Sequence, residues 1–210
     1  MNNGRGAAHR VAVYVDGFNL YFGMRERYKS RFYWLNIAEL AARLVNPSHT
    51  VVATKYFTAR VGSPPDKADR QRIYLAALDT VAGISLYYGR YDVRPRKCGL
   101  CKGVERVANE KMTDVQLACQ MLCDAQADLF DTAIIVSGDS DLVPPIEAIR
   151  RCFPDKRVLV AFPPARISKH LSQVAHAWFT IGRVRLRKSQ FPDRVQKPNG
   201  NFITKPAHWV

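Results

Sequence analysis

Two aspartates, Asp139 and Asp141, close a stretch that starts apolar and ends in small polar residues, Thr132-Ala-Ile-Ile-Val-Ser-Gly-Asp-Ser-Asp-Leu142. A short run rich in Ile and Val reads as a strand buried on both faces. The carboxylates then fall at its carboxyl end, where open α/β sheets bind ligands. Two carboxylates so close repel each other unless a cation lies between them. The chemistry this suits is divalent-metal binding. The alternative is helix capping, with Asp139 or Ser140 as N-cap of a helix over 142–152 and Glu147 deeper inside it. A cap needs one acid, and two are present.

The pattern recurs near the start of the chain. Val11-Ala-Val-Tyr-Val15 is a second apolar strand, followed directly by Asp16-Gly-Phe-Asn19. Gly17 allows a tight turn or close backbone approach. A third acid, Asp114, falls among Leu117, Ala118, Met121, Leu122 and Ala125, which form one apolar stripe at helical spacing. An acid on a buried helix face is costly unless paired or metal-bound; otherwise Asp114 is a solvated first-turn acid favoured by the helix dipole. Gathered at one rim, Asp16, Asp114, Asp139 and Asp141 would suit Mg²⁺, which takes oxygen ligands and retains water.

Three segments in order, Val15-Asp-Gly-Phe-Asn-Leu20, Lys111-Met-Thr-Asp114 and Ser137-Gly-Asp-Ser-Asp-Leu142, resemble the NYN domain. That family belongs to the PIN-like group of metal-dependent nucleases and includes the LabA/DUF88-type bacterial proteins. Residues 157–164 and 186–193 are also similar to later family segments, so the resemblance covers roughly 10–209. It implies an α/β, Rossmann-like three-layer sandwich with a mainly parallel sheet, and an RNA-directed site using Mg²⁺ or Mn²⁺. By motif position Asp16, Asp114, Asp139 and Asp141 carry over as metal-binding acids, with Asn19 and Ser137 as polar residues of the same catalytic site. Two positions depart from the pattern. Gln120 stands where relatives often carry an acid six residues after Asp114, and His176 replaces another acid before the last strand.

The remaining elements must carry these residues. Helices are expected over 19–29, 37–45 (capped by Asn36), 66–81 and 168–174, and strands over 50–60, 84–91, 156–162 and 178–181. Strands separated by helices argue for a parallel sheet with right-handed crossovers. If the strands ending at Asp16 and before Asp139 are neighbours, those acids meet at the switch point. The division expected is a flexible N-terminus over 1–9, the NYN/PIN-like domain over 10–182, and a basic extension over 183–210 with a hairpin turn at 198–200. At 47% hydrophobic residues the chain can build a core. It has no run approaching the roughly 18–20 apolar residues of a membrane span, and no apolar signal core precedes residue 10, so a cytoplasmic protein is expected.

The net charge of +14 favours an anionic partner, most simply nucleic acid. The basic stretch 94–110 contains Arg94, Arg96, Lys97, Lys102 and Arg106 and runs into Lys111. It reads as a loop placed to hold a phosphate backbone, or as a solvated insertion. The helix end over 25–31 is also basic, facing either a nucleic-acid strand or its own negative dipole terminus. Cys98 and Cys101 form half a zinc pattern that Cys119 and Cys123 would complete. The alternative is a reduced turn dithiol with two helix-packing residues, and Cys152 packs. Five cysteines, an odd number, fit a reduced compartment.

Three functions follow. One is a metal-dependent endoribonuclease. A second is an RNA-binding module weakened in catalysis, motivated by Gln120. A third, left open by the resemblance, is an oxidoreductase that hydroxylates an aromatic pyridine ring, although no Gly-x-Gly-x-x-Gly follows the first strand. RNA is the expected partner, and the sequence is compatible with a homo-oligomer.

Overall fold

Val11, Val13 and Val15 face one side of the first strand, β1 (Arg10–Asp16), while Ala12 and Tyr14 face the other, and all five are buried. A strand apolar on both faces needs a layer on each. The computed structural model describes residues 8–97, 99–101 and 103–209, and their side chains except those of 93, 94, 96, 97 and 105–109. Cys98 and Lys102 therefore lie outside the described residues, as do the side chains of Arg94, Arg96, Lys97 and Arg106.

After β1 the chain forms α1 (Gly17–Tyr28), α2 (Ile37–Leu44), β2 (Thr50–Ala59), α3 (Pro65–Leu78), β3 (Ile84–Lys97) and β4 (Val104–Lys111). There follow α4 (Thr113–Gln126), β5 (Thr132–Val136), a 3₁₀ turn at Ser140–Leu142, α5 (Val143–Cys152), β6 (Arg157–Phe162), α6 (Lys169–Val174) and β7 (Ala177–Thr180). Last come α7 (Arg183–Lys188), β8 (Arg194–Gln196) and β9 (Phe202–Thr204). The fold is α/β. A seven-stranded sheet has the order β4-β3-β2-β1-β5-β6-β7, parallel except for the β3–β4 pair. β1 lies between β2 and β5, with Val15 opposite Tyr56 on one side and Val136 on the other. Chain direction across the sheet reverses there, opening a crevice at the carboxyl ends of β1 and β5.

On one face Leu20 of α1, Leu40 of α2, Leu75 of α3 and Leu186 of α7 pack over the odd residues of β1. On the other, Leu117 of α4, Ile146 of α5 and Leu171 of α6 pack over Ala12 and Tyr14. Asn36 caps α2 as expected, accepting from the amides of Ala38 and Glu39 at 3.0 and 3.2 Å. Ser168 caps α6 in the same way.

The basic stretch is not a loop. β3 continues to Lys97 and turns back as β4, an antiparallel ladder running from Arg90 opposite Lys111 to Lys97 opposite Val104. Strand pairing satisfies the backbone of a segment whose cations disguise its β character. Residues 183–188 form a helix rather than tail, and the hairpin expected around 198–200 is present as β8–β9. This C-terminal segment packs on the α1–α3 face. Trp34 donates its indole N–H to the carbonyl of Pro192 at 2.7 Å, and Trp209 packs against the rings of Tyr33, Trp34 and Tyr74. Cys152, expected to pack, is exposed at the end of α5.

Candidate functional site

β1 ends on Asp16, which is 6% exposed and caps α1. Its Oδ1 accepts from the amide of Asn19 at 2.9 Å, and its Oδ2 from the hydroxyl of Ser137 at 2.8 Å. Ser137 is fully buried one residue past the end of β5, and its Oγ also accepts from the amide of Asp139 at 3.0 Å. Asn19 Oδ1 accepts from the amide of Gly138 at 2.9 Å. Hydrogen bonds thus stitch the ends of β1 and β5 together. Ser137 and Asn19 spend these oxygens on protein groups, so they position the site. Gly138 is packed under the carbonyl of Arg166, where a Cβ would clash.

Capping is also real: Asp139 Oδ1 accepts from the amide of Asp141 at 3.0 Å and opens the 3₁₀ turn. Asp141 is exposed. Asp114 is half-buried in the first turn of α4, above buried Leu117, Met121 and Ala125. Glu110, which the sequence reading passed over, accepts from the amide of Thr113 at 3.1 Å and adds a further acid beside Asp114. Its only sequence signal is its position just ahead of that helix.

Burial pushes the Asp16 carboxyl up to about 7; Asp114 and Asp139 push it the same way, against the opposing bonds from Asn19 and Ser137. Burial likewise raises Asp114 to about 6, helped by Asp139, Glu110 and Asp141. Among the described residues, the charged groups acting on both are all carboxylates. Such a set is electrostatically unfinished without a cation. Its donors are anionic oxygens, which fit Mg²⁺ or Mn²⁺ in chemistry. Among the described residues, however, no three His, Cys, Asp or Glu side chains are grouped closely enough to hold an ion by themselves. Mg²⁺ commonly takes one or two carboxylates, completing its shell with water and substrate phosphate.

Gln120 does not face this rim. Its Oε1 accepts from Lys55 Nζ at 2.9 Å and from the Tyr87 hydroxyl at 3.0 Å. Lys55 also pairs with Asp124 at 2.7 Å, and Tyr14 donates its hydroxyl to Asp124 at 2.6 Å. The residue that replaces a family acid is thus tied into a buried polar network joining β1, β2, β3 and α4. His176 Nδ1 accepts from the amide of Val158 at 3.0 Å, so this ring nitrogen is engaged by the backbone; desolvation and then the Arg150 charge lower its pKa.

The zinc expectation is not supported. Cys101, Cys119 and Cys123 are free and exposed, and they form no metal group among the described residues; Cys98 lies outside them. Lys111 is exposed at the end of β4, opposite Arg90 and just ahead of Asp114's helix.

The model of the NYN domain matches residues 10–182. The chain belongs to the NYN domain family. A 6-hydroxy-3-succinoylpyridine 3-monooxygenase, HspA, from Pseudomonas putida (strain DSM 28022 / S16) is 28% identical over 188 residues. The alignment takes in 73% of this chain and 59% of that protein, so this NYN chain spans less than two thirds of its relative's length. A crystal structure of a protein of unknown function from Vibrio parahaemolyticus RIMD 2210633 has the same fold, with a TM-score of 0.59 at 22% identity, covering 88% of this chain and 97% of that one. Among the described residues no helix is long and apolar enough to cross a membrane.

Proposed function

We propose that this NYN domain is a metal-dependent ribonuclease that hydrolyses phosphodiester bonds at the crevice between β1 and β5. One observation carries the reading: a buried carboxylate, Asp16, feels the charge of two further carboxylates, Asp114 and Asp139, and of no cation among the described residues. Asp16 and Asp139 would hold Mg²⁺ or Mn²⁺, with Asp114 and Asp141 contributing directly or through water. Bound there, the ion would supply Lewis acidity toward a phosphate oxygen and lower the pKa of an attacking water.

The protein's own groups do the rest. Ser137 and Asn19 fix Asp16 and the Gly138–Asp139 turn, so the acids keep their places without being ordered on binding. Burial and the neighbouring carboxylates raise the pKa of Asp114, strain that a cation bound beside it would relieve. The excess of positive charge draws an RNA strand to a rim that is itself acidic. Lys111 and Arg90, paired at the base of the β3–β4 hairpin, are the cations offered to the phosphates.

The test is cleavage of end-labelled RNA with Mn²⁺, with and without chelator, for the native chain and Asp139→Asn. Loss of cleavage on both changes is expected; activity indifferent to both would end this reading. Salt-sensitive RNA binding with no turnover under any divalent ion would leave an RNA-binding module instead.

A second reading, oxygenation of a small aromatic ring, is favoured by the similarity to the Pseudomonas monooxygenase. The turn after β1 weighs against it in dinucleotide form. The first turn of α1, where a pyrophosphate would dock, carries the Asp16 carboxylate instead of a glycine-rich cradle. NADH oxidation by the purified chain would restore it.

A further inference from the structure

The residue after Asp16 is the edge of a cleft. A Cβ on Gly17 would come within 2.6 Å of the Tyr56 ring, so only glycine lets that ring lie against the chain beside the acid. The Tyr56 hydroxyl lies close enough to feel the Asp16 charge. From there a cavity of about 520 Å³ extends under α1 and α3, within the range of roughly 300–1,000 Å³ usual for small-molecule sites. Its walls include Phe18, Tyr33, Tyr56, Tyr91 and Trp209. Tyr33 and Trp209 meet edge to face with centroids 5.6 Å apart, and Phe18 meets Tyr91 in the same way at 6.0 Å.

The polar part of the lining is cationic. Arg25 from α1 and Lys67 and Arg70 from α3 reach it. Arg70 is paired with Asp66 at 2.9 Å, whereas Arg25 and Lys67 form no ion pair among the described residues. Aromatic walls with two unpaired cations, beginning one residue from a carboxylate rim, complement a flat ring joined to an anion. A purely apolar ligand would leave the cations unused, and a bare phosphate would leave the walls unused.

We propose that this cleft is a base subsite: one nucleotide of the RNA strand places its base against the aromatic walls and an adjoining phosphate at Arg25 and Lys67, which sets the next phosphate toward Asp16. This rests on the strand-cleaving reading for the identity of the ligand, while its test is binding alone and needs no turnover.

The experiment is calorimetric titration of the full chain with adenosine 5′-monophosphate, ribose 5-phosphate, adenosine and nicotinate, with chelator present. The Trp209 indole N–H resonance is followed in parallel. Adenosine 5′-monophosphate is expected to bind at least tenfold more tightly than either ribose 5-phosphate or adenosine, and to shift the Trp209 signal. Lys67→Glu, an exposed substitution on α3, is expected to weaken it about tenfold. Equal binding of ribose 5-phosphate, an unmoved Trp209 signal, or indifference to Lys67→Glu would overturn the subsite. So would binding of nicotinate without the nucleotide, which would make the cleft a site for free aromatic acids. Nucleotide binding in a chain that never cleaves RNA would sink the nuclease reading and leave the subsite standing.

Discussion

The Ser137 hydroxyl donates to Asp16 Oδ2 at 2.8 Å while accepting the Asp139 amide at 3.0 Å, so one buried oxygen links two acids that stand far apart in sequence. Removing it takes one of the two hydrogen bonds from the Asp16 carboxylate and loosens the backbone that carries Asp139. Groups that orient metal-binding side chains typically contribute about 10–100-fold to metal affinity or activity. Ser137→Ala is expected to lose that much Mn²⁺ affinity, read by calorimetry, with its far-UV circular dichroism unchanged. Native Mn²⁺ affinity in Ser137→Ala would show that Asp16 is not held for a metal.

Asp16 should weaken the fold when no cation is present. Its carboxyl is raised to about 7, so the folded chain holds that proton more tightly than the unfolded chain, whose aspartates titrate near about 4. Stability from this group therefore falls as pH rises from about 4 to about 7 and stays lowered above. Asp16→Asn, which can keep the cap, is expected to melt above the native chain at pH 8 in chelator, by on the order of 1–3 kcal/mol, and to match it near pH 4. Mn²⁺ should raise the melting temperature of the native chain only. Denaturation curves with and without metal would show this.

Lys55 and Asp124 are nearly buried, with side-chain exposures of 11% and 12%. Lys55→Met leaves Asp124 with the Tyr14 hydroxyl alone, a change expected to cost about 3–5 kcal/mol. The double variant Lys55→Met/Asp124→Leu should recover part of that loss in urea unfolding. Gln120→Asp, by contrast, is expected to pair with Lys55 and leave Mn²⁺ affinity unchanged, because position 120 points into this network.

At the opposite end of β1, Arg10 binds Asp131 through its guanidinium and its amide, both at 2.7 Å, and holds that carboxyl down near 2. A depressed acid stabilises above the unfolded value near about 4 and loses that contribution as pH falls toward 2. Asp131→Asn should therefore melt below the native chain at pH 6 and converge with it near pH 2, seen in thermal scans across that range.

Local chemistry made much of this legible. The alternation of β1, the Asn36 and Ser168 caps and the acids at two strand ends are written within a few residues of where they act. The adjacency of β1 and β5 needed the family resemblance, and the register confirms it. The β3–β4 hairpin escaped notice because its cations mask the two-residue alternation of a strand, and its pairing partner comes after a turn. Lys55 and Tyr56 matter only through residues far off in sequence, so no spacing announces them, whereas Glu110 acts on Thr113 and Asp114 close by but ahead of the helix they open. The cysteines misled for the opposite reason: their spacing is suggestive, but α4 presents Cys119 and Cys123 to solvent.

The bond between Trp34 and the Pro192 carbonyl spans 158 positions, and it has a cost during synthesis. On a ribosome, the layer bearing α4 to α6 is translated in full before residues 183–209 emerge. The layer bearing α1 to α3 has by then waited for most of translation with its indole and phenol rings uncovered. A nascent chain of this protein is therefore half finished in an asymmetric way. Its earliest-made side is the last to become dry.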